Sequence, residues 1–358
     1  MPDASPTKWH LGHTTWFFEA LVLLPHAPGY RAFDPRFGGL FNSYYESLGA
    51  RYPRAERGML TRPALAEVLD YRAAVDAALA EFVEVSDSCA FADAAPIIEL
   101  GLQHEQQHQE LVLTDILHAF SLNPLAPALR AGPAPAAPPA PPGWIAQPGG
   151  AVAIGHAGNG FAFDNETPRH RVLLEPYALA RGLVTNGEYQ RFVDDGGYRE
   201  PLLWLADGWA AVQAGHWTGP GHWREDGLEF TLHGLAARAP DSPVRHLSFY
   251  EAAAYAEWAG ARLPTEAEWE AALAGPEPPL QAFGEVWQWT RSSYSPYPRF
   301  RPLAGPAGEY NGKFMVGQLV LRGSSSATPP GHARPTYRNF FPPAARWQYS
   351  GLRLARDG

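Results

Sequence analysis

The sequence predicts a helical bundle followed by an irregular α+β domain. Three observations carry that reading. Residues before about 121 hold long stretches with apolar positions at helical spacing. Residues 126–148 are almost entirely Ala, Pro and Gly. Residues after 149 carry short apolar runs broken by Gly, Pro and aromatics, the pattern of short strands and turns. A length of 358 residues also fits about two domains at roughly 100–200 residues each.

The elements follow in order. Ser5-Pro6 reads as a helix start, with Ser5 as N-cap and Pro6 in the first turn. The helix then runs from Thr7 to Leu24, broken only by Gly12, and Pro25 stops it. Residues 25–61 form a long loop-like stretch, and a loop that long inside a compact domain is usually functional. A second helix spans Arg62 to Val85, with Pro63 near its start and Leu65, Val68, Leu69, Ala73 and Ala77 as its apolar positions. A third opens after Pro96 and ends near Phe120. Either the bundle has three main helices or an upstream helix is missing from it; in the second case lower stability or an oligomer covering the exposed face is expected. We therefore expect a bundle over 1–125, a semi-rigid linker over 126–148 and an α+β domain over 149–358. In the last, TNGEYQRFVD (185–194), Phe249–Gly260 and RLPTEAEWEAAL (262–273) are the helix candidates.

Composition narrows the function. Hydrophobic residues at 46% against 18% charged supply a core, so disorder is excluded. A net charge of −9 without a basic run argues against nucleic acid or an anionic membrane surface as partner. The single cysteine, Cys89, excludes an internal disulfide and a cysteine-built metal cage. It lies away from every motif and reads as structural. No apolar run reaches the roughly 18 residues of a membrane span, and MPDASPTKWH is not laid out as a signal peptide. A cytoplasmic protein is expected.

The chemistry concentrates in QHEQQHQE (103–110). On a helix His104 and His108 stand at i and i+4, one turn apart on one face, and can hold one metal ion. The first helix offers His10 and His13, either of which can add a third ligand. Three neutral imidazoles with open positions suit iron(II), zinc or copper(II). The plain alternative is a histidine pair on an exposed helix with no metal. HEQQH also matches the zinc-protease pattern H-E-x-x-H. The metzincin extension needs Gly at 111 and His at 114, where this chain has Leu111 and Thr114, and no Glu occurs between Glu110 and Glu166 to serve as third ligand.

Three N-terminal segments, SPTKWHLGHTTWFFE (5–19), LFNSYYESLG (40–49) and QHEQQHQE (103–110), resemble the DinB-like bundle of the ergothioneine sulfoxide synthases, the EgtB family. DNETPRH (164–170), VTNGEY (184–189), RLPTEAEWE (262–270), GEVWQWT (284–290), LRGSSSAT (321–328) and RNFFPPAARWQYSGLRLAR (338–356) resemble the formylglycine-generating-enzyme (sulfatase-modifying factor) fold, which is C-type-lectin-like. The resemblance implies a non-haem iron(II) enzyme that uses O₂ to join a thiol to carbon 2 of the hercynine imidazole and oxidises the sulfur to a sulfoxide. It implies His13, His104 and His108 as iron ligands, with His10 outside the ligand set. One or both of Tyr44 and Tyr45 become the candidates to donate a proton, or an electron with it, to a reduced oxygen species, with packing as their alternative. Gln107 is implied to bond the hercynine imidazole.

Hercynine carries a quaternary ammonium, which aromatic faces recognise. The resemblance assigns Asn339 and Phe340 to hercynine. Members resembling the γ-glutamylcysteine users have an Asp where Phe341 stands, so cysteine is the favoured thiol over γ-glutamylcysteine. Trp287 and Trp289 read as core. Arginines 322, 334, 338, 346 and 353 are candidates to clamp a substrate carboxylate. Sulfatase-modifying relatives need cysteines of their own, and none follows Cys89 here. A selenoneine synthase using a selenosugar and hercynine, and a non-catalytic binding module, are the alternative functions.

Overall fold

The computed structural model describes residues 4–135, 137–224 and 226–358. Met1 to Asp3, Ala136 within the Pro/Ala-rich segment, and Glu225 lie outside them. Backbone contacts divide the chain into two compact units, Met1–Ile116 with Arg301–Lys313, and Leu117–Phe300 with Phe314–Gly358.

The first unit is helical. Helix α1 (Thr7–Phe18) widens into a π turn over Glu19–Leu23 and ends at Leu24–His26. The chain thus passes Pro25 by one residue. Its start also differs from expectation. Pro6 is the N-cap, and Ser5 instead donates its N–H to Asp115 at 2.9 Å and accepts from Arg57 on its hydroxyl at 3.2 Å. A short helix α2 (Phe37–Phe41) interrupts the long loop. Helix α3 (Leu65–Val85) buries Val68, Tyr71, Val75 and Phe82. Leu65 and Leu69, expected on that face, are 52% and 48% exposed. The true stripe recurs at i, i+3 and i+7, and Tyr71 belongs to it because its hydroxyl finds a buried partner.

That partner is Glu19. The π turn leaves its carboxylate buried, where it accepts from Tyr71 Oη at 2.7 Å, Tyr30 Oη at 3.0 Å and the Phe33 N–H at 2.8 Å. One buried charge thereby pins the long loop and α3 to α1. Helix α4 spans Ser88–Ser121 and contains Pro96. It begins earlier than expected because Asp87 Oδ1 caps it, accepting from the N–H groups of Cys89 and Ala90 at 2.9 and 2.8 Å. Cys89 is exposed, so it packs into no core.

The second unit mixes strands and short helices. In chain order these are β1 (Trp144–Gln147), β2 (Gly150–Ile154), β3 (His170–Leu174), β4 (Tyr177–Ala180), α5 (Asn186–Asp194), α6 (Ala206–Gly215), β5 (Leu228–Thr231) and β6 (Gly234–Ala237). Then come α7 (Phe249–Trp258), α8 (Glu266–Leu273), β7 (Trp287–Ser293), β8 (Leu319–Gly323), β9 (Asn339–Phe341), β10 (Ser350–Gly351) and β11 (Ala355–Asp357). The sheets run β1-β4-β11 and β10-β7-β8-β9, with separate pairs β2-β3 and β5-β6. Thr185, Ser248 and Thr265 each close a capping box, with Glu188, Glu251 and Glu268 respectively. This local chemistry is why α5 and α7 start where the sequence expects, and why α8 starts at Glu266, four residues after the expected Arg262.

With so little regular structure, buried ion pairs tie the loops. Arg322 binds Glu270, Arg334 binds Glu166, Arg338 meets Glu266 at 2.8 Å and Arg346 meets Glu251 at 3.2 Å. Arg353 donates to Gln288 and to the carbonyls of Ala180, Arg181 and Leu280. All five arginines considered for a substrate carboxylate are thus engaged within the fold. Trp287 and Trp289 are buried, and Trp289 Nε1 donates to the Leu247 carbonyl at 2.8 Å.

Candidate metal centre

The site is built on α1 and α4. In α1, Trp9, His13 and Trp16 stand at i, i+4 and i+7, so their rings line up along one face. The His13 ring is 4.7 Å from Trp9 at 12° and 5.7 Å from Trp16 at 16°. Its Nδ1 bonds the Phe41 carbonyl at 2.7 Å, which turns Nε2 away from α2. In α4, His104 and His108 rings stand 4.5 Å apart. His13 and His104 are buried and His108 is half-buried.

One ring nitrogen from each of His13, His104 and His108 lies within 4.8 Å of the others. Among the described residues this is the group of His, Cys, Asp and Glu side chains that can hold a metal ion. His13 Nε2 and His104 Nε2 are 3.2 Å apart. Two nitrogens each about 2.1 Å from one metal, at about 90–110°, stand roughly 3.0–3.4 Å apart. Burial lowers the pKa of all three histidines, and their mutual repulsion adds to it for His13 and His108. For His104, burial and then His10 bring it to about 3. The imidazoles are therefore neutral at pH 7 and present lone pairs. The donor set fits a divalent metal with open coordination positions.

His10 lies outside this group. Its Nδ1 faces His108 Nδ1 at 2.8 Å and its Nε2 faces Asp115 Oδ2 at 3.1 Å. Glu105, the general-base position of a zinc protease, is paired with Arg72 instead.

The NSYYE phenols adjoin rings that flank the triad, since Trp16 lies against His13 and Phe17 against His104. Tyr45 is buried between Trp16 and Phe17, with ring distances of 5.5 and 6.4 Å. Tyr44 stacks on Tyr45 at 4.8 Å and meets Tyr310 at 6.0 Å. Burial raises both phenol pKa values, so each is a neutral donor.

Two residues of this site escaped the sequence reading. Tyr310 sits in Arg301–Lys313, far along the chain, yet its ring is 5.6 Å from His104 and its hydroxyl donates to Gln107 Oε1. The same segment locks the loop. Glu309 accepts from the N–H groups of Glu46 and Ser47, both at 3.0 Å, and Lys313 donates to the Tyr44 carbonyl. No periodicity or spacing marks Tyr310. Arg57 is the second. Its guanidinium lies 3.5 Å over the Trp9 ring and donates to Ser5 Oγ and Ser43 Oγ at 3.2 and 3.1 Å. It is buried, and no carboxylate among the described residues forms an ion pair with it.

Asn339, Phe340 and Phe341 form β9, in the other compact unit. Phe340 stacks on Tyr294 at 4.0 Å and 11°, and Phe341 stands edge-on to Trp347 at 5.7 Å. Asn339 Oδ1 accepts from the Phe340 N–H at 2.9 Å.

The sulfatase-modifying factor enzyme 1-like domain matches residues 131–278 and 280–358. A hercynine oxygenase of Mycobacterium tuberculosis is 35% identical over 404 residues, covering 99% of this chain and 92% of that protein. This chain belongs to the hercynine oxygenase family. A second member, from Mycolicibacterium smegmatis, is 33% identical over 410 residues, covering 99% of this chain and 92% of that protein. The formylglycine-generating enzyme of Streptomyces coelicolor is 37% identical over 175 residues, 42% of this chain and 53% of that protein. Family membership accounts for both halves. The helical unit carries the histidines, and the α+β part carries the sulfatase-modifying-factor fold. The one cysteine, Cys89, lies outside the matched domain.

Proposed function

We propose that the chain is an iron(II)- and O₂-dependent oxygenase of hercynine in ergothioneine biosynthesis. The reaction joins the sulfur of cysteine to carbon 2 of the imidazole and leaves the sulfur as a sulfoxide. Hercynine, the thiol and O₂ give the sulfoxide adduct and one water, so all four electrons accepted by O₂ come from the two substrates. The observation that carries this reading is the convergence of three neutral, largely buried imidazoles, with ligand nitrogens within 4.8 Å, in a chain of this family.

His13, His104 and His108 would hold the iron. An iron ion held there would supply thiolate at neutral pH and a common centre for O₂ and the two organic substrates. The chain's own groups do the rest. Gln107, whose Oε1 accepts from Tyr310, is the residue assigned to bond the hercynine imidazole. Tyr310, whose ring stands 5.6 Å from His104, and Tyr44, which meets Tyr310, serve as proton donors; Tyr45 fixes Tyr44 by stacking. Arg57 supplies a buried cation for a substrate carboxylate. The family resemblance alone assigns Asn339 and Phe340 to the trimethylammonium end of hercynine. Phe341 supplies no carboxylate for a γ-glutamyl amine, which favours cysteine. No helix among the described residues is long and apolar enough to cross a membrane, in keeping with work in the cytoplasm.

The test is anaerobic iron loading followed by O₂, hercynine and either cysteine or γ-glutamylcysteine, with product mass as readout. The cysteine adduct at the sulfoxide level is expected, and His104→Ala loses both iron and oxygen uptake while keeping its fold. Normal turnover in that variant contradicts the ligand set. Adduct from γ-glutamylcysteine alone overturns the thiol assignment.

A further inference from the structure

The three imidazoles are wired differently on their outer side. His13 Nδ1 meets a backbone carbonyl, that of Phe41, at 2.7 Å. His104 Nδ1 is buried without a hydrogen-bond partner among the described residues. His108 Nδ1 meets another imidazole, His10 Nδ1, at 2.8 Å, and His10 Nε2 meets Asp115 Oδ2 at 3.1 Å. Asp115 is buried, and the same oxygen accepts the Ser5 N–H at 2.9 Å. A carboxylate only accepts. So His10 Nε2 carries a hydrogen toward Asp115, and with His10 as the neutral imidazole its Nδ1 is the acceptor. His108 Nδ1 must then donate, and its lone pair is left on Nε2. One buried carboxylate thus fixes two tautomers in series.

We propose that His10 and Asp115 are positioning residues that commit His108 to metal binding through Nε2. The chain of atoms is Asp115 Oδ2, His10 Nε2–H, His10 Nδ1, His108 Nδ1–H and His108 Nε2. The helix spacing supports it. His108 and Asp115 are seven residues apart on α4, two turns along one face, and His10 on α1 spans the gap between them. Outer partners of this kind orient a ligand and raise its basicity, and losing one typically weakens metal affinity about 10–100-fold. The inference rests on the metal reading above, but concerns residues that reading leaves without a role.

The test uses the full chain and cobalt(II) as probe, read by chelator competition and by the hyperfine-shifted ring N–H signals. In the wild-type protein two slowly exchanging N–H signals are expected, from His13 and His108, because both nitrogens have protein acceptors. Asp115→Asn weakens cobalt binding about 10-fold and Asp115→Ala up to about 100-fold, with Asp115→Glu restoring part of it. The His108 signal shifts or is lost in the Ala variant while that of His13 stays. Thermal melting of the metal-free variants reports structural damage separately. Affinity within twofold of wild type with both signals unmoved overturns the proposal. If the Ala variant does not fold, a single slow signal in the wild-type protein overturns it equally. Wild-type protein that binds neither iron nor cobalt refutes the metal reading itself, and the relay with it.

Discussion

Gly12→Ala tests the architecture of the metal centre from its back wall. A β-carbon at Gly12 would stand 2.3, 2.5 and 2.6 Å from three ring carbons of Phe41. Ordinary contact is about 3.5–4.0 Å, so the ring or the helix must yield by about 1 Å. Phe41 is 1% exposed and packs against Phe37 and Tyr71, so nothing soft lies behind it. Overpacking of this kind costs about 1–3 kcal/mol. For a unit of this size each kcal/mol lowers the melting midpoint by roughly 3–6 °C, so a fall of about 3–18 °C is expected. The damage should reach the proposed metal site because the Phe41 carbonyl holds His13 Nδ1. Moving it loosens the ring that presents Nε2, and metal affinity should drop alongside the midpoint. Thermal melting of the metal-free protein and a metal competition titration measure the two effects. Gly38→Ala is the control, since a β-carbon there meets nothing within 4 Å. It sits in α2 with ordinary backbone, so it should be neutral or stabilise by up to about 1 kcal/mol. A Gly12→Ala protein with a wild-type midpoint and affinity would show that the approach of α1 to Phe41 does not shape the site.

Other outcomes follow from the same structure. The metal-free protein should lose stability as pH falls from about 6.5 toward the folded value of about 3 for His104. Its folded pKa lies below the unfolded one, so the contribution is full above pH 6.5 and drains away below it. Bound metal should make that acid loss steeper, because protons compete for the same nitrogens; denaturant midpoints across this range check both statements. Glu270→Gln leaves the fully buried Arg322 without its closest counter-charge and should destabilise the second unit by about 3–5 kcal/mol in chemical unfolding. Ser248→Ala removes the N-cap of α7, whose hydroxyl accepts from the Glu251 N–H at 3.1 Å, and should cost about 1–2 kcal/mol.

Part of this was legible without a structure. Helix periodicity places His104 and His108 on one face, since i and i+4 are fixed by 3.6 residues per turn. The capping boxes at Thr185, Ser248 and Thr265 mark their helices for the same reason, being local chemistry. Local signals misled where a partner lay elsewhere. Ser5 reads as a cap until Asp115 and Arg57 claim it, and Pro96 reads as a start until Asp87 starts the helix sooner. The five C-terminal arginines read as free clamps until Glu166, Glu251, Glu266, Glu270 and a set of carbonyls occupy them.

By itself the sequence determined a helical unit with a histidine pair one turn apart, then an irregular α+β domain with no disulfide. Spacing on α1 left His10 and His13 equivalent as third members. The family resemblance singled out His13, and the tertiary structure gives the physical reason, because the packing of α1 on α4 aims His13 Nε2 at His104 and closes His10 against Asp115 and His108. Tyr310 and Arg57 belong to the same class of fact. Each reaches the site through contacts between segments distant in sequence, and the direction of a side chain across such a contact is set by packing, which no single segment encodes.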